Sequence, residues 1–339
     1  MNTDTPPKAP TESDVAKLAG VSQSAVSRAF TPGASIAAKT REKVVNAARE
    51  VGYHPNLLAR SLVTNKSNII ALAISYLENP FYAEIVKELS ERLRETNRHI
   101  LLFTAPDGNR ADPALERVLH YKVDALIMTA TKASAELTDQ CQKSGVPIVQ
   151  INRESDLKGI STVRGKNRHA GRVVAEYLLA CGHKRFGFIG GTDTSSTSRI
   201  REEGYREFLL AGGGGEVMTE YGNYTFEAAA VGARKLLGSD TPPDAIFCAS
   251  DYMAFAVLEV ARNEFGLKIP EDLSVIGFDD VPEASHAAYD LTTYSQPAAA
   301  MVEEAIKLMD IMIANPGGRA QRREVPGDLI IRGSARIPK

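Results

Sequence analysis

Seven short apolar, β-branched runs recur along this chain, and the stretches between them carry helical periodicity. The first four are IIALAIS (69–75), HILLFTA (99–105), DALIMTA (124–130) and PIVQIN (147–152), with helices expected at about 81–97, 112–121 and 135–144. The rhythm starts again with RFGFIGG (185–191), DAIFCAS (244–250) and LSVIGFDD (273–280), with helices near 196–211 and 251–266. Strands that are apolar throughout and alternate with helices build parallel sheets covered on both faces. Two rounds of alternation imply two similar α/β lobes, each a doubly wound parallel sheet. The chain is expected to cross to the second lobe near 160–165 and to return near 293–297, giving a helix at Ala298–Ala314 to the first. A last strand near 329–332 then rejoins the second lobe. Several crossings imply a hinge, with a cleft for a small ligand between the lobes.

The first 67 residues follow a different pattern. A Pro-rich tail (1–10) is expected to be disordered. In DVAKLAGVSQSAVSRAF (14–30), Val15, Leu18 and Ala19 recur at helical spacing and Ser13 is placed to cap the first turn. Gly20 suits the left-handed position that ends a helix, and Ser22 can accept from the first amides of a second helix, Gln23 to Phe30. The break is a helix-turn-helix corner. Ala25, Val26 and Ala29 form the packed side of the second helix, which leaves Gln23, Ser24, Ser27 and Arg28 projecting. Those side chains suit a DNA groove: glutamine pairs with adenine edges, arginine with guanine edges, and hydroxyls with phosphates. A third helix is expected from Ala38 to Val51, with Val44, Val45, Ala48 and Val51 buried and Gly52 as its stop. Spacing alone also fits a small protein-binding module. The segment GYHPNLLARSLVTNKSN (52–68) adds a short helix capped by Asn56, too short to be stable alone and so expected to order on a partner.

Charge separates the two regions. Residues 1–67 hold nine Lys/Arg against five acids, whereas the whole chain carries a formal charge of −2, so a basic head precedes an acidic body. Only the head is suited to a polyanion.

DVAKLAGVSQSAVSRAF, AKTREKV, GYHPN and ARSL, in this order and spacing, resemble the headpiece of the lactose-repressor (LacI/GalR) family of bacterial transcription regulators, and the resemblance extends from about residue 12 to 335. It implies a helix-turn-helix domain at 11–53, a hinge helix and linker at 54–67, and an effector-binding and dimerisation body at 68–335 similar to periplasmic binding proteins. Lobe 1 would comprise about 68–164 and 295–325, and lobe 2 about 165–294 and 326–335. By position, Gln23, Ser24 and Arg28 would read the major groove, Ser22 and Ser27 would lie beside them, and Asn56, Ala59 and Leu62 would form the hinge face, Leu62 being the minor-groove wedge. Two departures stand out: Ala37 replaces the usual Ser or Thr cap of the third helix, and Pro32-Gly33 occupy a loop that is often Asn-rich.

Ligands of open α/β sheets bind at strand carboxyl ends. The candidates there are Phe81 and Tyr82, as stacking aromatics or as helix anchors, and Asn152 with Arg153 after the fourth strand. Resemblance makes Arg199 the ligand-anchoring arginine, with Arg201 close by, and assigns Tyr224, Ser250, Asp251 and Asp279 (beside Asp280) to the cleft. Asp251 equally suits a helix cap. Lys166 stands where the family usually has Asp before Asn167, either favouring an acidic ligand or facing solvent.

The expected function is a ligand-responsive regulator, a repressor, that binds a pseudo-palindromic operator as a homodimer. Its effector would be a sugar or sugar derivative, alternatively a purine or nucleoside. No catalytic residue, metal or cofactor is expected: GFIGGTDTSS fits neither GxGxxG nor the P-loop, GxSxG is missing, and Cys141, Cys181 and Cys248 are scattered. The start lacks the apolar core of a signal peptide and no run is long enough to span a membrane, so a cytoplasmic, nucleoid-associated protein is expected. The sequence after the last strand is too short for a tetramerising helix, which favours a dimer.

Overall fold

The computed structural model describes residues 9–31, 33–54, 66–104, 115 and 117–338, and the chain divides into two compact units, 1–67 and 68–339. The hinge positions Asn56, Ala59 and Leu62, together with Pro32 and most of the N-terminal tail, lie outside the described residues.

The first unit contains α1 (Glu12–Ala19), α2 (Gln23–Phe30) and α3 (Ala38–Val51). Thr11, not Ser13, caps α1: its hydroxyl accepts from the Asp14 amide while the Asp14 carboxylate accepts from the Thr11 amide at 2.8 Å, a reciprocal capping box. Ser13 falls inside the first turn, two residues past the cap position. Gly20 (φ 66°) and Gly52 (φ 71°) adopt the left-handed conformation that lets the chain leave α1 and α3 without a Cβ penalty. Val15, Ala16, Val26, Ala29, Val44, Ala47 and Ala48 close one small core. Ala47 replaces Val45 on the buried stripe of α3. Ala37 leaves α3 without a side-chain cap. The Arg41 guanidinium donates to the carbonyls of Ala29 and, at 3.2 Å, Ala34, so it pins the end of α2 and the following loop to α3.

The second unit holds two six-stranded sheets. Lobe 1 is built from β1 (Ile69–Ile74), β2 (His99–Thr104), β3 (Ala125–Thr129), β4 (Ile148–Ile151), β5 (Ile160–Gly165) and β11 (Arg322–Val325), in the order β11-β5-β4-β3-β1-β2. Lobe 2 contains β6 (Phe186–Gly190), β7 (Val217–Tyr221), β8 (Ala245–Cys248), β9 (Ser274–Asp279), β10 (Thr292–Ser295) and β12 (Leu329–Ile330), ordered β12-β10-β9-β8-β6-β7. Every pairing is parallel except β10 with β12. In each sheet the first strand is flanked by the next two, β1 by β2 and β3, β6 by β7 and β8. The order therefore reverses at these strands, which opens a crevice at their carboxyl ends.

Helices α4 (Pro80–Glu95), α5 (Ala135–Lys143) and α10 (Ala298–Ala314) belong to lobe 1; α6 (Asn167–Ala180), α7 (Ser196–Ala211), α8 (Phe226–Leu237) and α9 (Asp251–Asn263) belong to lobe 2. The chain crosses between lobes three times: after β5, between β10 and α10, and between β11 and β12. The helix expected at 112–121 is described only as a 3-10 turn, Arg117–Tyr121; of its earlier residues only Leu115 is described. β7, absent from the sequence reading, is an edge strand whose pattern VMTEY is half polar. Helices α6 and α7 approach closely because each offers a glycine at the crossing. A Cβ on Gly171 would overlap the Arg201 carbonyl oxygen, and one on Gly204 would overlap that of Arg168. Among the described residues no helix is long and apolar enough to cross a membrane.

Candidate functional site

Two separate surfaces carry candidate chemistry. On α2, Ser22 accepts from the Ala25 amide at 3.3 Å and caps the helix. Val26 and Ala29 are buried, whereas Ser22, Gln23, Ser24, Ser27 and Arg28 are all exposed. Arg28 Nε donates to the Ser24 carbonyl at 3.1 Å, which lays its guanidinium back along the same face. One polar face therefore projects from a helix held on its other sides by α1, α3 and Arg41.

The second surface lies where the carboxyl ends of β1, β3, β4, β6, β8 and β9 face one another. At its centre is Arg201, 1% exposed although it is the longest cation available. Its Nε donates to Asn167 Oδ1 at 2.8 Å, Nη1 to the Ala249 carbonyl at 2.6 Å, and Nη2 to Gln296 Oε1 at 3.4 Å. The guanidinium carbon stands 3.4 Å from the Phe278 ring centroid, a cation-π contact that replaces lost hydration. Gln296 Nε2 donates to Asp279 Oδ1 at 3.0 Å, and the Asn79 side chain hydrogen-bonds the same carboxyl from lobe 1. Burial pushes the Asp279 carboxyl well above its ordinary range, against the pull of Arg201. Asp279 also holds a φ of 126°, a conformation that costs about 1–3 kcal/mol and persists where surrounding bonds enforce it.

Tyr82 and Asn152 form the lobe 1 wall. The Tyr82 phenol is hydrogen-bonded by the Asn152 side chain, and burial, Tyr224 and Asp279 together raise its pKa. Asn152 Oδ1 is buried with no hydrogen-bond partner. On lobe 2, the Tyr224 hydroxyl lies 2.9 Å from Ser195 Oγ and 3.5 Å from Thr197 Oγ1. These residues, with Tyr76, Ala130, Arg153 and Thr192, enclose a cavity of about 20 Å³, room for roughly one water. A sugar-sized molecule enters only if the lobes part.

Several expected cleft residues stand elsewhere. Arg199 faces solvent with its side chain 60% exposed, and its guanidinium pairs with Glu203 at 2.8 Å, one turn along α7. The buried stripe of α7 runs through Thr197, Ser198, Arg201, Gly204 and Tyr205, so a shift of two residues decides which arginine is inside. Ser250 caps α9, accepting from the Met253 amide at 3.3 Å. Asp251 is neither cap nor open to the cleft: it accepts from the Val281 amide at 2.9 Å and from Thr293 Oγ1 at 2.5 Å, and burial pushes its carboxyl up to about 7. It ties α9 to β10. Phe81 is packed in the core edge-on to Tyr82, so of the two aromatics only Tyr82 lines the cavity. Asp280 pairs with Arg332 at 2.7 Å, and Lys166 is exposed. Asn79, Asn167, Gln296, Ser195 and Tyr76 were not singled out by sequence reasoning for the roles they take in this network; each sits one or two residues beyond a strand or at a helix start, where residue type alone suggests a cap.

A serine-histidine-aspartate set also exists in lobe 2. His183 Nδ1 lies 3.3 Å from Asp244 and Nε2 lies 2.9 Å from Ser274 Oγ, which also accepts from the Arg336 amide at 2.9 Å. These residues precede β6 and β8 and begin β9, so they occupy the amino ends of the strands, opposite the cleft, and His183 and Ser274 are buried. The set clamps the C-terminal segment. Burial lowers the His183 pKa from 6.5, so the folded state favours the neutral ring. The stability it supports is complete above about pH 6.5 and is lost as pH falls through the lower folded value. The stability gap between wild type and His183→Gln is therefore expected to narrow as urea melts are moved from about pH 7.5 to 5. A constant gap would contradict this account.

Residues 11–56 match the family profile described as bacterial regulatory proteins, lacI family, and residues 175–335 match the periplasmic binding protein-like domain. The chain is 32% identical over 334 residues to the HTH-type transcriptional regulator CelR of Thermobifida fusca, covering 96% of this chain and 98% of that protein. It is also 32% identical to the HTH-type transcriptional repressor CytR of Escherichia coli strain K12, covering 97% of each. The solved CelR-cellobiose complex superimposes with a TM-score of 0.72 at 30% identity, over 96% of this chain and 100% of that one. A capped helix with a free polar face, a body of two crevice-bearing sheets crossed three times, and similarity along almost the whole length lead to one assignment: this chain is a transcriptional regulator of the LacI family.

Proposed function

We propose that the protein is a repressor that binds a pseudo-palindromic operator as a homodimer and is released or recruited by a small cyclic effector held between its lobes. The carrying observation is the exposed Gln23, Ser24, Ser27 and Arg28 face of α2, a polar surface on a helix otherwise fully engaged. One eight-residue helix reads only a few base pairs, so two copies on a two-fold site are required. Around the cleft, Arg201, Asp279, Gln296 and Asn152 supply charged and amide groups suited to ring hydroxyls, and the CelR complex holds cellobiose, so a sugar is the first effector class. A purine or nucleoside is the second, favoured by Tyr82 and Tyr224. The role is binding in the cytoplasm, beside DNA, and not catalysis: the Ser274-His183-Asp244 set is occupied by the Arg336 backbone. Effector and operator would be coupled by about 1–3 kcal/mol.

A gel shift on DNA upstream of the gene tests the reading. Arg28→Ala is expected to weaken discrete-site binding roughly 5- to 150-fold at fixed salt, the range of one bidentate base contact. Equal binding by both proteins, or no discrete site for wild type, would overturn it.

A further inference from the structure

At the amino ends of β4, β5 and β11, the pole of lobe 1 opposite the cleft, lies an open groove of about 1170 Å³. Small-molecule pockets run from about 300 to 1,000 Å³, so the groove has the capacity that the closed cleft, with its cavity of about 20 Å³, lacks. One wall is formed by residues 155–159, after β4, and the other by 315–321, after α10. Both are tied down. Gln142 Nε2 donates to the Lys158 carbonyl at 2.8 Å, through the space that a Cβ on Gly159 would fill, and Arg322 Nη2 donates to the Ser155 carbonyl at 3.3 Å. Opposite, the Gln321 amide donates to Ser161 Oγ at 3.1 Å and its carbonyl accepts from the Thr162 amide at 2.9 Å.

Two chemistries line this space. Val146, Ile148, Leu157, Ile160 and Met312 give it an apolar floor, with Ile148 and Ile160 buried. Lys158, Arg319 and Arg322 are exposed cations on its walls, against one acid, Asp156. Among the described residues, Lys158 and Arg319 have no carboxylate partner, whereas Arg98, Lys143 and Arg164 of the same lobe are each paired. The carboxyl ends of α5 and α10 also meet the groove and would attract cations. Their last carbonyls are already occupied, however: the Ser144, Gly145, Val146 and Asn315 amides donate to the Gln140, Gln142, Cys141 and Ile311 carbonyls.

We propose that this groove is a second ligand site, for a small organic acid with an apolar body, whose hydrocarbon lies on the floor while its anionic group is held by Lys158 and Arg319. Burial of the hydrocarbon supplies affinity, and the cations select the acid over a neutral molecule of the same shape. The site is independent of the cleft. The 17 residues of α10, about 25 Å of helix, run from the turn carrying Gln296 of the Arg201 network to the end that bears Met312.

The chain has no tryptophan, so Ala320→Trp, on the groove wall, gives the full-length protein a single indole there. Bromine quenches an indole only near contact, which makes 11-bromoundecanoate the probe and 11-bromoundecanol its uncharged counterpart. Saturable quenching by the acid is expected at Ala320→Trp and at a second wall position, Asn315→Trp, which serves if the first disturbs the fold. None is expected at Phe265→Trp, an exposed site in lobe 2. The alcohol should bind roughly 2- to 30-fold more weakly than the acid, the range for two exposed ion pairs. Lys158→Ala with Arg319→Ala should weaken the acid by the same factor, and Lys158→Arg with Arg319→Lys should restore it. Quenching at the groove no stronger than at Phe265→Trp, or equal affinity for acid and alcohol, overturns the site. So does loss of both cations that lowers the melting temperature and leaves the affinity for the acid unchanged, since the cations would then serve only the helix ends.

Discussion

Arg201→Ala is expected to destabilise the effector-binding unit by about 3–5 kcal/mol, the range for breaking a buried charge network, and to abolish effector-induced stabilisation. The side chain is buried, so its removal strands the Asn167 Oδ1, Gln296 Oε1 and Ala249 carbonyl acceptors and leaves the Asp279 carboxyl without its nearest cation. It also vacates the space over the Phe278 ring. Arg199→Ala, two residues away, removes only an exposed ion pair with Glu203 and should stay within about 0.5 kcal/mol of wild type. Urea denaturation of the two variants, followed by thermal shifts with sugars, separates them. Similar losses in both, or an intact effector response in Arg201→Ala, would remove Arg201 from the centre of the site.

Gly204→Ala should cost about 3 kcal/mol or more, at the upper end for overpacking, although it adds one methyl group. That methyl would collide with backbone, the Arg168 carbonyl, which cannot rotate away as a side chain would. Helices α6 and α7 would have to separate, and since α6 carries Asn167 and α7 carries Arg201, the 2.8 Å bond between them would lengthen. The effector response should therefore fall together with the melting temperature. Gly215→Ala is the control: the nearest atom to its Cβ would be the Lys184 carbonyl oxygen at 3.5 Å, ordinary contact, so a neutral or slightly stabilising change is expected. Matching losses for the two glycines would show that the crossing is not tightly closed.

Periodicity and punctuation carried most of the architecture. Gly20, Ser22 and Gly52 are local signals whose effect is confined to the adjoining turn, and α1 ends, α2 begins and α3 ends where those residues place them. The start of α1 was legible in TESD, where Thr11 and Asp14 stand at capping-box spacing, a signal that outweighs the lone hydroxyl of Ser13. Within the cleft, residue type pointed to strand ends but did not tell which side chains there face the crevice and which are engaged elsewhere. Ser250 and Asp251 look like ligand groups, yet nearby amides and Thr293 satisfy them. Gln296 and Asn79 look like loop residues and reach Asp279 only because non-local crossings bring them there. β7 escaped notice because an edge strand needs no continuous apolar run.

The three crossings between lobes make the effector body indivisible as genetic material. Lobe 1 is assembled from two separate stretches of the chain, and so is lobe 2. No single cut in the gene yields either lobe, and a single crossover inside the body leaves at least one sheet built from both parents. The first unit, by contrast, is one uninterrupted stretch with its own core. Exchange between relatives can therefore pair a new operator with an old effector by trading the head whole, whereas a crossover inside the body mixes the two parents within a sheet.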